Sequence, residues 1–488
     1  MSSRLRYLLA MRRILSFLTF ATILCLLSSP SLFAQNSKPK NQAAFQQFLK
    51  TPALANGLGS LTVINAKTGE LVFEGNNKVG MPTASTLKVI TSITALDLLG
   101  PDFSFATKLY VSGDIDSLGT LNGDIIIEGT GDPTLGSDRY PQTKPELILA
   151  KWKEAILSLG IKQIAGSIIA NDQLYKGYDV PGTWMWTDIG NYYGAGVSAL
   201  NWKENKLGIK FNPGKPGQDA RLLDQASNPS YRLINEVKTG SVGSGDNVYA
   251  YSAPYSEVVY LRGNYGSDLK KTIEISVPDP ALDLAYDLSR VLEQDSILVL
   301  DTIITYQRLI NSNPQYQIPG NKKLIHTVQS PKLIEIVHWF NQKSINLYGE
   351  TLLKVIGGIS ANKTNTAEAA SMVSKYWQTK LKIPTSEINT YDGSGLSPQN
   401  RVTTNAIAQI MQYAKGRNWY ANFLKSLPTI NGTSMKSGTI GGALGYTGYQ
   451  KSADGQEYSF SLLVNNYQGS STAMRQAMFK LHRPKRPE

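Results

Sequence analysis

The segment Met81-Pro82-Thr83-Ala84-Ser85-Thr86-Leu87-Lys88 decides how the rest of the chain is interpreted. It precedes a helical pattern, because Val89, Ile93 and Leu96 recur at i, i+4 and i+7. A serine and a lysine three positions apart share one face of a helix, where the lysine can activate the serine hydroxyl. At a helix N-terminus the serine backbone N–H is also available to stabilise an oxyanion. An ordinary helix N-cap is the alternative interpretation of Ser85.

Composition limits the other possible nucleophiles. The chain has 488 residues, with one cysteine and three histidines. A disulfide within the chain is therefore impossible, a zinc site of cysteines and histidines is not expected, and a Ser-His-Asp triad has few candidate bases. No G-x-S-x-G string occurs. The serine–lysine pair remains the main candidate, and we expect neither a metal nor a cofactor.

The string S-x-x-K is common, so its context decides its meaning. It occurs four times, at Ser37–Lys40, Ser85–Lys88, Ser267–Lys270 and Ser360–Lys363. The first lies in a polar tail, the third in a turn-like segment, and the fourth follows two glycines in a loop-like segment. Only Ser85–Lys88 opens an amphipathic helical pattern.

In one class of serine enzymes S-x-x-K is followed by S-x-N and then by K-T-G. S-x-N occurs at 344–346, inside the helical pattern 331–357, and at 360–362 in a glycine-flanked segment. Literal Lys-Thr-Gly occurs at 67–69 and 238–240, before any S-x-N.

Near the end of the chain, Lys436-Ser437-Gly438-Thr439 precedes strand-like sequence, where a strand edge can pair with a substrate backbone. The ordered set is therefore Ser85–Lys88, Ser344–Asn346 and Lys436–Gly438. Polar helix surface is the alternative interpretation of Ser344 and Asn346. A solvated strand end is the alternative for Lys436.

The pattern of apolar and turn-forming residues along the chain predicts an α/β core that is split in sequence. Strands are predicted at 61–65, 71–74 and 458–464, and helices at 145–159, 281–294, 331–357, 366–379 and 402–415. From about residue 104 to residue 278, short strands and turns rich in Gly, Asp and Asn dominate. We expect residues 35–98 and 279–488 to form a catalytic domain and residues 99–278 a β-rich insertion.

The first 34 residues are typical of a secretory signal peptide. Four arginines precede an apolar run from 14 to 27, and a small residue, Ala34, marks the expected cleavage site. The only cysteine, Cys25, follows a leucine that does not suit a lipoprotein signal. Removing these residues lowers the formal charge from +12 to +8. No basic run interleaved with aromatics suggests nucleic-acid binding, and no further segment reaches the length of a membrane span.

With these three motifs the chain resembles the low-molecular-mass class C penicillin-binding proteins, the D-alanyl-D-alanine carboxypeptidase/endopeptidase family. Two further segments, Glu128-Gly129-Thr130-Gly131-Asp132-Pro133-Thr134-Leu135 and Asp392-Gly393-Ser394-Gly395-Leu396-Ser397, are similar to segments of that family. The long gap between Ser85 and Ser344 also fits, because the family inserts two extra domains there. The resemblance implies a penicillin-recognising serine transpeptidase/β-lactamase-like catalytic domain of α/β (α+β) class with two small inserted domains.

The chain departs from the family pattern at three places. Lys-Ser-Gly stands where Lys-Thr-Gly is usual, although serine keeps the hydroxyl group. Ile345 replaces a more usual polar residue, and the stretch 430–435 is shorter than the family pattern.

The resemblance implies a role for each motif residue. Ser85 would attack the carbonyl of the penultimate D-Ala of a peptidoglycan stem peptide, and Lys88 would take the proton. Ser344 would relay a proton to the leaving nitrogen, and Asn346 would hold the substrate amide. The segment 436–439 would bind the terminal carboxylate, and the N–H groups of Ser85 and Thr439 would form the oxyanion hole.

The resemblance also implies inhibition by β-lactams and a location in the periplasm, with membrane or wall association open. Two alternatives stay open at this point. One is a β-lactamase or esterase on the same machinery, and the other is a non-catalytic envelope scaffold with this fold.

Overall fold

The computed structural model describes residues 37–175, 177–223, 231–362, 364–452 and 455–482. The expected signal peptide, residues 1–34, and Lys363 of the fourth S-x-x-K string lie outside these residues. Within the described ranges, no helix is both long enough and apolar enough to cross a membrane.

A six-stranded antiparallel sheet forms the centre of the first structural unit. In spatial order its strands are Leu71–Gly75, Leu58–Asn65, Glu457–Asn465, Ala443–Lys451, Thr433–Ile440 and Thr429–Ile430. We call Thr433–Ile440 the motif strand, because it carries the Lys-Ser-Gly motif. Two of the strands come from the beginning of the described chain and four from its end, in agreement with the expectation of a core that is split in sequence.

Helices cover both faces of this sheet. On one face, helix Thr404–Lys415 packs on the sheet and shares a core with five further helices, Lys88–Leu99, Leu333–Lys343, Asn346–Ala361, Thr366–Leu381 and Tyr420–Ser426. The other face packs on Ser37–Leu49 and Ser471–His482. Strand side chains alternate between the two cores, since Leu463 faces the first while Leu462 and Val464 face the second.

A short ribbon fixes the segment that precedes Ser85. Ile388–Asn389 pairs with Arg401–Val402, and Met81 forms a bridge to Val402. The Met81 N–H donates to the Val402 carbonyl at 3.0 Å and the Met81 carbonyl accepts from the Val402 N–H at 3.1 Å. The chain therefore enters the Ser85 turn from a fixed position.

The first inserted unit is built on a five-stranded mixed sheet. Its strands, in spatial order, are Ile303–Thr305, Ile168–Asn171, Ile125–Glu128, Ala106–Val111 and Lys323–Gln329. Around it lie a small sheet of Leu298–Val299, Gln163–Ile164, Thr120–Asn122 and Asp114–Ile115, and the helices Pro145–Leu157, Pro280–Glu293 and Tyr306–Ser312.

The second inserted unit lies inside the first in sequence and has its own core. One three-stranded sheet contains Arg221–Leu223, Lys206–Asn212 and Ile273–Ser276, and the other contains Arg232–Gly240, Val258–Gly266 and Asp246–Tyr251. Their buried residues form a cluster separate from the core of the first inserted unit. The expectation of two small inserted domains agrees with these two cores.

The expected boundary at residue 279 does not match the contacts. Helix Pro280–Glu293 packs its buried leucines into the core of the first inserted unit, and strands Ile303–Thr305 and Lys323–Gln329 complete its sheet. We therefore place the return to the catalytic unit near residue 330. The helical pattern after residue 279 belongs to the first inserted unit and not to the catalytic unit. An apolar period alone does not show which sheet a helix covers.

Three other expectations need correction. The pattern 331–357 is not one helix, because Ser344 has a φ of +57° and separates Leu333–Lys343 from Asn346–Ala361. The polar segment around Ser37 is helical, from Ser37 to Leu49, and buries Phe45 and Phe48. Ser360 lies near the end of helix Asn346–Ala361 and not in a loop.

Trp377 ties helix Thr366–Leu381 to the core and offers a test of this packing. It is fully buried, and its indole N–H donates to Thr94 Oγ1 at 2.9 Å. Trp377→Ala should destabilise the catalytic unit by about 3–5 kcal/mol through lost burial and a cavity. Urea unfolding checks this, with Trp186→Ala as the control, because Trp186 is 57% exposed and its removal should leave the unfolding midpoint nearly unchanged. Equal midpoints for the two variants would contradict the packing described here.

Candidate active site

Ser85 lies in a tight turn that is held from two sides. It belongs to a 3-10 turn, Ala84–Leu87, directly before helix Lys88–Leu99, and so it is not the helix N-cap. Ala84 has a φ of +46°, a backbone conformation that costs a non-glycine residue about 1–3 kcal/mol. A Cβ on Gly395 would lie 1.9 Å from the Ala84 carbonyl oxygen, and a Cβ on Gly438 would lie 2.8 Å from the Ser85 nitrogen. These two glycines allow a loop and the motif strand to press against the Ser85 turn.

Lys88 is fully buried and its amine meets three oxygen atoms. Nζ lies 2.9 Å from Ser85 Oγ, 2.6 Å from Asn346 Oδ1 and 2.7 Å from the Ser394 carbonyl oxygen. The last two atoms only accept hydrogen bonds, whereas a hydroxyl both donates and accepts. A neutral amine that donates to Asn346 and Ser394 therefore directs its lone pair at the Ser85 hydroxyl. This is the arrangement of a base poised to take the serine proton.

The surroundings of Lys88 favour the neutral amine. Burial lowers the pKa of Lys88 well below the ordinary value for lysine, and the positive charge of Lys436 lowers it further. The carboxylates of Asp392 and Glu350 oppose these effects.

Asn346 is the first residue of helix Asn346–Ala361, and both ends of its amide are engaged within the protein. Oδ1 accepts from Lys88, and Nδ2 donates to the Tyr193 carbonyl at 2.7 Å. Since that carbonyl can only accept, the contact fixes which end of the amide faces Lys88. In this arrangement Asn346 positions the lysine, and the expected contact with a substrate amide stays a prediction.

Ser85, Ser344, Asn346 and Thr439 line one cavity of about 640 Å³. The left-handed backbone of Ser344 breaks the helical pattern and places this half-buried residue on the cavity wall. The three motifs, separated by hundreds of residues in sequence, thus meet at one site. A proton relay through Ser344 stays a prediction.

The motif strand places its residues at different depths. Lys436 is only 2% exposed, its amine donates to the Ser437 carbonyl at 2.9 Å, and burial lowers its pKa to about 8. Ser437 is half-buried, whereas Thr439 is exposed on the cavity wall. Gly438 passes next to the Ser85 nitrogen, as described above, so the strand edge runs beside the nucleophile.

Glu350 is a site residue that the sequence analysis did not identify. It is buried one helical turn after Asn346 and accepts from the N–H groups of Gly393 at 3.0 Å and Ser394 at 2.9 Å. Burial, together with the charge of Asp392, raises the pKa of Glu350 to about 8. Glu350 therefore holds the backbone whose Ser394 carbonyl contacts Lys88. A single glutamate in a helical pattern resembles a solvated face, and no motif in the sequence marks it.

Asp392 organises the same loop. Its carboxylate accepts from the N–H groups of Gly395 at 2.9 Å and Ser397 at 2.6 Å, and from Asn400 Nδ2 at 2.8 Å. It also accepts from Trp184 Nε1 at 2.9 Å. Trp184 belongs to the inserted region, so that region supports the loop next to Lys88.

A second contact joins the inserted region to helix Asn346–Ala361. Glu204 is buried and accepts from the Tyr348 hydroxyl at 2.9 Å and from Arg139 Nε at 2.7 Å. Tyr348 lies two residues after Asn346. The charge of Arg139 keeps the pKa of Glu204 below its ordinary value despite burial. This ion pair fixes the start of the helix that carries Asn346.

Comparison with known proteins identifies the family of the chain. The model of the D-Ala-D-Ala carboxypeptidase 3 (S13) family matches residues 41–484. A D-alanyl-D-alanine carboxypeptidase of Actinomadura sp. (strain R39) is 24% identical over 449 residues, which cover 86% of this chain and 80% of that protein. The D-alanyl-D-alanine carboxypeptidase DacB of Haemophilus influenzae is 22% identical over 434 residues, covering 83% of this chain and 84% of that protein.

The fold is also that of a solved structure. The crystal structure of penicillin binding protein 4 (dacB) from Haemophilus influenzae superposes with a TM-score of 0.75 and 19% identity, covering 90% of this chain and 98% of that one. The resemblance to the class C penicillin-binding proteins is thus confirmed, and the chain belongs to the D-Ala-D-Ala carboxypeptidase 3 (S13) family.

Proposed function

We propose that the chain is a serine D-alanyl-D-alanine carboxypeptidase or endopeptidase that cleaves peptidoglycan stem peptides through an acyl-enzyme on Ser85. The observation that carries the proposal is the buried Lys88 amine, 2.9 Å from Ser85 Oγ and bonded on its other sides to two atoms that only accept. Family membership supports the proposal, and so do the Actinomadura and Haemophilus influenzae relatives, which are both D-alanyl-D-alanine carboxypeptidases.

The reaction has two stages. Ser85 Oγ attacks the carbonyl carbon of the penultimate D-Ala while its proton passes to Lys88. The tetrahedral intermediate collapses as a proton, relayed through Ser344, reaches the leaving nitrogen, and the terminal residue departs. Water then attacks the ester, loses its proton to the same base, and releases the shortened peptide and Ser85. The N–H groups of Ser85 and Thr439 are assigned to the oxyanion, at about 3–4 kcal/mol per donor.

A β-lactam fits the same site. Its strained amide presents a carbonyl to Ser85, and opening of the ring leaves an ester on the serine. The Haemophilus influenzae protein has been crystallised in complex with a β-lactam, and that structure superposes on this chain with a TM-score of 0.69 at 18% identity, covering 90% of this chain and 97% of that one. Peptidoglycan lies outside the inner membrane, and the predicted signal peptide at 1–34 agrees with a periplasmic enzyme.

Covalent labelling tests the nucleophile. Incubation of the folded protein with a fluorescent penicillin should give a stable adduct on Ser85, located by mass spectrometry. Ser85→Ala should abolish it, because no other serine has a buried lysine at this distance in the described site. Ser267→Ala, at another S-x-x-K string, is the matched control and should label like the unaltered protein.

The other possible labelling results would favour a different function. Rapid turnover of the penicillin without a lasting adduct would favour a β-lactamase. A folded protein that neither labels nor turns over penicillin would overturn the catalytic assignment and favour a scaffold.

Glu350→Gln tests the support of the Lys88 site. The amide nitrogen of glutamine cannot accept a hydrogen bond, so the Gly393 N–H, which lies 3.0 Å from one carboxylate oxygen and 3.2 Å from the other, would lose the shorter contact, and the loop with the Ser394 carbonyl should move relative to Lys88. We expect the rate constant of Ser85 acylation to fall about tenfold or more in folded protein, on the order of the 1–3 kcal/mol that an unsatisfied buried donor costs.

Glu387→Gln is the control for Glu350→Gln. Glu387 is also buried and accepts from Thr403 Oγ1 at 2.6 Å and Asn405 Nδ2 at 2.8 Å, and it makes no contact with Lys88. Glu387→Gln should lower the stability of the protein with little change in the rate constant of Ser85 acylation. Equal acylation rates for Glu350→Gln and the unaltered protein would refute the positioning role of Glu350.

A further inference from the structure

Arg475 contacts a residue of the cavity wall from a helix that carries none of the three motifs. It lies on helix Ser471–His482, and its Nη2 donates to Thr439 Oγ1 at 3.0 Å. Thr439 lines the cavity together with Ser85. The end of the motif strand is therefore in contact with a permanently charged guanidinium group.

In the part of the chain that the structure describes, the guanidinium of Arg475 has no carboxylate partner. Among the ion pairs of the described residues, none places a carboxylate oxygen within 4.0 Å of Arg475. An arginine presents five donors in a planar fork that matches a carboxylate. The hydrogen bond to Thr439 uses one nitrogen of the guanidinium, so donors remain for a bound anion.

The helix that carries Arg475 is firmly packed, which fixes where the guanidinium lies. Met474 and Met478 are buried in the core beneath the sheet. The ring of Phe479 lies 5.2 Å from the ring of Tyr446, a residue of the strand next to the motif strand. Arg475 itself is half-buried between these anchors and Thr439.

We propose that Arg475 binds the terminal α-carboxylate of the substrate together with Thr439. The inference rests on the function proposed above and adds to it the residue that recognises the charge. When the Thr439 oxygen accepts from Arg475, its own O–H is directed elsewhere and can donate to the carboxylate. Thr439 on the cavity wall and Arg475 beside it thus offer adjacent donors.

Lys436, the cation of the Lys-Ser-Gly motif, is less suited to carry a full positive charge beside the substrate carboxylate. Lys436 is 2% exposed, its amine already donates to the Ser437 carbonyl, and burial lowers its pKa to about 8. Arginine stays charged at every pH at which the protein is folded. A selective contact with a free carboxylate is therefore assigned to Arg475.

A pair of thioesters separates charge recognition from catalysis. The probes are N-acyl-D-alanyl thioglycolate, whose leaving group carries a free carboxylate, and its methyl ester. Thiol release reports the acylation of Ser85 by each. In Arg475→Gln we expect acylation by the carboxylate probe to fall about tenfold, in line with hydrogen bonds to charged groups, while acylation by the methyl ester changes less than about threefold.

Two further variants keep the test specific. Arg475→Lys keeps the charge without the fork and should restore part of the preference for the carboxylate. Lys480→Gln removes one charge from an exposed position on the same helix and should leave the preference unchanged.

The unfavourable outcomes are distinguishable. If Arg475→Gln slows both probes equally, or neither, Arg475 does not read the carboxylate although the proposed function stands. If the unaltered protein is acylated by neither probe, the proposed function fails and this inference with it.

Discussion

The buried amine of Lys88 is the group on which the rest of the site depends. An isolated ammonium ion in such a place is costly, and the group responds by losing its proton. Its partners come from three distant parts of the sequence, the Ser85 turn, the start of helix Asn346–Ala361 and the loop at Ser394. The catalytic unit must therefore be assembled completely before Lys88 can act as a base toward Ser85.

Each partner of Lys88 is held by a further contact, and the inserted region supplies several of them. The Tyr193 carbonyl orients Asn346, Trp184 holds Asp392, and Glu204 binds Tyr348. The backbone of the loop at Ser394 is fixed by Glu350 from the catalytic unit. We infer that the inserted region contributes to catalysis by fixing the helix and the loop that contact Lys88, whatever else it binds.

Much of this organisation was predictable from the sequence. The apolar period after Ser85 and the strand-like ends of the chain predicted the helix and the split sheet, because local patterns report burial on one face. The order of the three motifs predicted that Ser85, Ser344 and Thr439 would meet, and they line one cavity.

Other features depend on tertiary contacts that no local pattern carries. The break at Ser344 is a single left-handed residue inside an otherwise helical pattern. Glu350 and Arg475 occupy ordinary helical positions, and their roles arise from the backbone N–H groups and the hydroxyl that they meet. The end of the inserted region near residue 330 follows from strand pairing across more than one hundred residues.

The dependence of Ser85 acylation on pH shows whether Lys88 acts as a neutral base. The rate with a β-lactam should rise as Lys88 loses its proton and level off far below pH 10.5, the ordinary pKa of lysine. A rate that keeps rising toward pH 10.5 would show that Lys88 is an ordinary charged lysine and that burial does not prepare it as the base.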